Sequence, residues 1–129
     1  MPTSTLEKVQ SFSKLKDNWS FGEGSEFNVQ ILNKALQLVK TAHALGFQET
    51  DTFPGLNGEI MVTLYLGQDY WEFTLESDGS VIFVYEKGEE TCVYEEGLPF
   101  EFAISMVTSI ALQNNLPIFG AKTMTKVVA

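Results

Sequence analysis

Arginine is missing from this chain altogether, and its eight basic residues are all lysines. Lysine is a point charge on a flexible stem, so the planar bidentate fork that grips phosphate and carboxylate groups is absent. Basic residues of any kind are scarce, 8 against 17 acids, for a net charge of −9. A nucleic-acid binder that neutralises phosphates needs clustered cations, and that class is excluded. Cysteine and histidine occur once each, as Cys92 and His43. One thiol makes no intrachain disulfide. A structural zinc site needs about four Cys, His or carboxylate ligands, so no metal centre is expected. Long apolar runs are also lacking. The richest stretch, residues 100–112, is broken by Glu101, Ser105, Thr108 and Ser109, well short of the roughly 18 residues that span a bilayer. Residues 1–15 have neither the basic start nor the apolar block of a secretory signal. These absences predict a cytoplasmic protein with no membrane span, no metal and no cofactor.

What is there is an ordinary core-forming content, 44% hydrophobic over 129 residues. That is enough for one self-sufficient domain over 1–129. The charge is unevenly placed. Residues 46–121 carry thirteen acids against the single Lys87, whereas residues 1–45 and 122–129 are slightly basic.

The pattern along the chain predicts an α+β fold. Ser4 with Glu7 has the form of a capping box, and Leu6, Val9, Phe12 and Leu15 follow at helical spacing, giving a short helix over 5–16. A turn-rich stretch, Asn18 to Ser25, separates it from a second helix over 29–45. Asn28 is its N-cap, Ile31, Leu32, Ala35, Leu36, Leu38, Val39, Ala42 and Leu45 form a wide apolar face, and Gly46 is its stop. A loop with Pro54, Gly55 and Gly58 leads into alternating segments over 59–66, 70–76, 80–86 and 91–95, joined by turns at Gly67, Asp78-Gly79 and Gly88. Pro99 opens a last helix over 99–114, whose apolar stripe is widened by Phe102, Met106 and Leu112, the pattern of a helix buried on several sides. The expected architecture is an antiparallel meander of 3–4 strands with two main helices packed on one face and a short N-terminal helix. The tail, 118–129, adds an edge strand or stays loose.

The stretch Asn18-Trp19-Ser20-Phe21-Gly22, the helix 29–45, Pro54-Gly55-Leu56-Asn57-Gly58-Glu59 and the turn Ser77-Asp78-Gly79-Ser80-Val81 resemble, in that order, a loose group of small uncharacterised bacterial proteins. These carry an Asn-Trp-x-aromatic-Gly element, an amphipathic helix and an Asp-Gly hairpin meander. The resemblance spans about residues 15–87, and Ser20 stands where the group has an aspartate. It implies a prokaryotic accessory protein, such as the antitoxin or immunity half of a two-gene module, and it implies no catalytic residues.

The residues themselves leave three function classes open. A Cys–His nucleophile pair would require His43 and Cys92 to meet, and beside Val93 the cysteine reads as a small buried hydrophobe. Carboxylates are the only abundant chemistry. Glu72 and Glu76 share a strand face but lie about 13 Å apart, beyond the roughly 5–10 Å of a paired acid and base. The acids Glu86, Glu89, Glu90, Glu95 and Glu96 lack the Asp-x-Asp-x-Asp-Gly register of a calcium loop. The preferred expectation is a non-catalytic, acidic protein-interaction module, of antitoxin, immunity or chaperone-like type. It would bind a basic partner through Glu72, Glu76, Glu86, Glu89, Glu90, Glu95 and Glu96, whose field would steer association. The alternative is a small ligand-binding or carboxylate-based enzyme domain with an aromatic pocket lined by Trp19, Trp71, Phe73 and Tyr85. The third is a self-associating protein that uses the last helix or an open sheet edge.

Overall fold

The computed structural model describes residues 4–116. The capping box forms as expected: the Ser4 hydroxyl accepts from the Glu7 N–H at 3.1 Å, and the Glu7 carboxylate accepts from the Ser4 N–H at 3.2 Å. Helix α1 (Thr5–Ser11) is nevertheless shorter than the predicted 5–16, because the chain tightens into one 3₁₀ turn, Phe12–Lys14. Helix α2 (Val29–Ala44) starts at Asn28, whose side chain accepts from the Ile31 N–H at 2.7 Å. It ends in the motif that Gly46 predicts: Gly46 has φ +102, and the Phe47 and Gly46 N–H groups donate to the carbonyls of Ala42 and His43.

Five strands follow, one more than the upper expectation. They are β1 (Glu49–Pro54), β2 (Ile60–Leu66), β3 (Asp69–Leu75), β4 (Val81–Lys87) and β5 (Glu90–Leu98), antiparallel in the order β1-β2-β3-β4-β5. The additional strand is β1, which the sequence presents as a loop. Its side chains are mostly polar, and it is an edge strand whose inward residue Thr52 is fully buried with its hydroxyl donating to the Met61 carbonyl at 2.8 Å. Strand β5 is longer than 91–95 and shifts register twice against β4, as edge strands that avoid further pairing often do. The β3–β4 connection turns on Gly79 (φ +95), with the Glu76 N–H donating to the Ser80 carbonyl and Asp78 accepting from the Ser80 N–H.

Helix α3 (Phe100–Gln113) has Pro99 as its cap rather than its first residue. It buries Phe100, Ala103, Val107, Ile110 and Ala111 but leaves Leu112 exposed, so it is covered along one stripe and not on several sides. The segment 118–129 lies outside the described residues.

Register decides the faces. Val62 pairs with Phe73 and Phe73 with Phe83. These residues join Ile60, Leu64 and Leu75 and the apolar faces of α1, α2 and α3 in one core. Phe73 is fully buried, with its ring centroid 5.2 Å from that of Phe83. Among the described residues no helix packs on the opposite face of the sheet, and α1 lies along the β1 edge. There Thr5 Oγ1 meets Thr50 Oγ1 at 2.8 Å, His43 Nε2 meets the same hydroxyl at 3.1 Å, and Lys8 pairs with Asp51 at 2.8 Å.

Partial burial of His43 holds its pKa below the usual 6.5. The folded state therefore resists the proton that the unfolded chain accepts, and the stability present above pH 6.5 is lost as pH falls through the lowered value. Chemical denaturation from about pH 7.5 to about pH 5 should show the wild type losing more stability than His43→Gln over the same range.

Candidate functional site

Alternation along β2–β5 sends a second set of side chains to the uncovered face. Met61, Tyr65, Tyr70, Ile82 and Tyr94, with Phe53 of β1, supply its apolar area, and Glu72, Glu86 and Glu96, with Glu49 and Asp51 of β1, its charge. Tyr94 is more than half exposed and Phe53 about as exposed as buried residues never are, at 39%. The floor between them is tight: Thr63 is fully buried, its hydroxyl 3.1 Å from the Tyr65 hydroxyl, and the Tyr65 and Tyr70 rings lie 5.3 Å apart.

At the β1 edge of this face Lys8 pairs with Asp51 and lies 4.5 Å from the Phe53 ring centroid, but Glu72 and Glu96 are oriented by tyrosines rather than by cations. Tyr70 donates to Glu72 at 2.8 Å and Tyr94 to Glu96 at 3.0 Å, each pair two residues apart on one strand, while Thr91 donates to Glu86 at 3.4 Å. Hydrogen bonding to Glu96 pushes the Tyr94 hydroxyl pKa up, and burial together with Glu72 does the same for Tyr70. A hydroxyl fixes a carboxylate without neutralising it. The ion pairs among the described residues are Lys8–Asp51, Lys16–Glu26 and Lys87–Asp69, and none of them involves Glu72, Glu76, Glu86 or Glu96. Glu76 lies just beyond β3. Burial and then the charges of Glu59, Asp78 and Glu96 raise its pKa above the ordinary 4.5.

Of the seven acids that the sequence groups, the structure brings Glu72, Glu76, Glu86 and Glu96 to this face. Glu89 and Glu90 sit at the β4–β5 turn. Glu95 does not join them: it stands opposite Phe83 and so projects to the helix side of the sheet. The aromatic set divides as well. Trp71 and Tyr85 stack, with centroids 5.6 Å apart, and line a groove beside α3. Phe73 is sealed in the core. Trp19 lies elsewhere, against Phe27. Cys92 is exposed on β5 rather than buried, and with His43 bonded to β1 the two are separated by the width of the sheet, roughly 19 Å at 4.8 Å per strand. Among the described residues no three His, Cys, Asp or Glu side chains gather to hold a metal ion. No helix among them is long and apolar enough to cross a membrane.

One residue escaped the sequence reading. Phe21, in the Gly-rich stretch after α1, has a fully exposed side chain. It sits at φ +52 in a two-residue turn with Gly22 at φ +86, closed by paired Ser20 and Glu23 hydrogen bonds of 2.7 and 2.9 Å. The loop beneath is rigidly tied: the Trp19 indole donates to the Ser25 carbonyl at 3.0 Å, the Asn18 N–H to the Gly24 carbonyl at 2.7 Å, and the Ser25 N–H to Leu56 at 3.0 Å. A bulky residue in the left-handed region, with no apolar contact to offset it, costs stability. Gly22 is the one sequence signal of the tight turn, since phenylalanine is not a residue that favours positive φ.

No protein-family model, curated protein or solved structure matches this chain, so the functional reading rests on the geometry above.

Two stability outcomes follow. Phe21→Asn creates the favoured Asn-Gly pair for this turn and should raise stability by about 0.5–1 kcal/mol, read from the denaturation midpoint. Glu76→Gln removes a carboxylate that the folded state disfavours ionised, so it should stabilise at neutral pH. That gain should vanish as pH falls below about 4.5, where the wild-type group is itself protonated.

Proposed function

We propose that this chain is a non-catalytic protein-interaction module that uses the uncovered sheet face to bind a basic partner. The observation that carries the reading is the pairing of carboxylates with tyrosine hydroxyls in place of lysines: Glu72 and Glu96 are fixed in position with no lysine paired to them among the described residues. Pre-organised charge on a surface with Tyr, Phe and Met area is what a recognition face needs. The aromatics supply desolvated contact, and the acids steer the encounter. The self-repulsion at Glu76 is relieved when a lysine or arginine of the partner arrives, which makes binding a differential gain rather than an exchange of one ion pair for another.

Phe21 is a further exposed aromatic. Its loop is bonded to the Pro54–Gly58 segment through Leu56, near the end of the sheet at which Glu59 and Glu76 feel each other. A fully exposed aromatic on a tied loop fits an anchor for an apolar pocket of the partner. In this reading the protein is a prokaryotic, cytoplasmic accessory component of antitoxin, immunity or chaperone-like type. It contacts neither nucleic-acid phosphates nor membranes, and any self-association would use the β5 edge.

Cross-linking and co-purification from the native host test the proposal. The wild type should recover a basic protein whose association rate drops by roughly tenfold or more between low and high salt. The triple variant Glu72→Gln/Glu76→Gln/Glu96→Gln should lose it while remaining folded. Recovery of the same partner by both, at equal rates, would sink the reading.

A further inference from the structure

The helix side of the sheet is polar at its two edges, with Thr50 and Thr52 on β1 and a set of charges at the β3–β5 corner. Alternation places Asp69, Lys87 and Glu95 there, at the ends of β3 and β4 and in the middle of β5. These three line the mouth of a groove of about 460 Å³ between α3 and strands β3–β5. The floor is aromatic, with Trp71 stacked on Tyr85 and Phe83 in edge contact with Phe102 at 5.4 Å. Val93 and Met106, both half-buried, form facing walls.

The polar groups at the mouth are not equivalent. Asp69 accepts from the Tyr85 hydroxyl at 2.6 Å, which pushes that hydroxyl's pKa up to about 12, and it faces Lys87 at 3.9 Å. The Asn114 amide donates to the Ile110 carbonyl at 2.9 Å. Glu95 alone of the three charges has no ion-pair partner among the described residues. With Asp69 and Lys87 offsetting each other, the groove presents aromatic walls and one uncompensated carboxylate. Large apolar area with a few convergent polar groups is the make-up of a small-molecule site. The ring faces favour a cation as well.

We propose that this groove binds a small arylalkylammonium ligand, with its flat apolar body against Trp71 and Tyr85 and its ammonium group at Glu95. The site is on the opposite face from the partner surface and stands independently of it. An inward carboxylate on an edge strand also discourages strand addition, but that role makes no use of the aromatic floor and predicts no ligand preference.

Titration of the full chain with 2-phenylethylammonium and, separately, 3-phenylpropionate tests the assignment. These probes share a ring and reverse the charge. The readouts are the Met106 methyl and Trp71 indole signals in NMR spectra. The ammonium should shift both signals and bind at least about tenfold more tightly than the carboxylate. Glu95→Gln should narrow that preference to about twofold or less while ring binding persists. Val93→Trp, a substitution suited to a strand, should fill the groove and abolish both responses in a protein whose spectrum remains dispersed. Equal affinity for the two probes would overturn the proposal, as would an unchanged preference in Glu95→Gln or shifts unaffected by Val93→Trp. A dependence of the Met106 signal on protein concentration alone would assign the groove to a second copy of the chain and likewise overturn it.

Discussion

The pairing of Phe73 with Val62 on one side and Phe83 on the other holds the rest of the molecule in place. Side chains on a strand alternate with a period of two, so a slip of one residue in β3 would carry Phe73 and Trp71 into water and bring Glu72 and Tyr70 into the core. Burial of two phenylalanines and the surrounding aliphatics against the helices makes that slip prohibitive. The helix side is thereby settled. By the same alternation, the opposite face receives the tyrosines and glutamates whether or not anything covers them.

The absence of arginine has its clearest consequence on that second face. Acidic surfaces are commonly held together by cations, which also cancel their field. In this chain the tyrosine hydroxyls of Tyr70, Tyr94 and, on the helix side, Tyr85 hold Glu72, Glu96 and Asp69. The raised tyrosine pKa values are the reciprocal sign of that arrangement, since a phenol donating to a carboxylate is reluctant to ionise. Geometry is fixed and charge is conserved. A surface of this kind is costly to keep alone, as Glu76 shows through its raised pKa, and it gains from an opposite charge in a way that a lysine-paired surface does not.

Much of the fold was legible because its signals are local. Asn28 and Gly46 bracket α2 as expected, and the alternation in Ile60-Val62-Leu64 and Trp71-Phe73-Leu75 marks both the strands and their buried face. Strand β1 was not legible, because Glu49, Thr50, Asp51 and Thr52 offer no apolar alternation. It becomes a strand through its pairing with β2 and the buried Thr52 hydroxyl, which are properties of the neighbour. The candidate site was half legible. Grouping Glu95 with Glu96 by nearness in sequence ignored that consecutive strand residues face opposite ways, and the alternation itself held the correct answer. The outward placement of Phe21 was not legible for a different reason: it follows from the left-handed backbone angle at that residue, which a phenylalanine does not advertise.

Glu95 shows how one edge strand can serve two faces. With its register shifts against β4, β5 keeps Tyr94 and Glu96 on the open side and turns Glu95 toward α3. Remove the carboxylate and the edge is a row of unpaired backbone groups beside an apolar groove, a template for another strand. Keep it, and the mouth of the groove carries an exposed carboxylate with no ion-pair partner among the described residues, while Lys87 faces Asp69 at 3.9 Å. The residue that makes this edge less receptive to a further strand therefore also gives the groove its polarity. A ligand with an apolar body and a cationic end would meet the aromatic floor and the carboxylate at once, which a second β-strand does not.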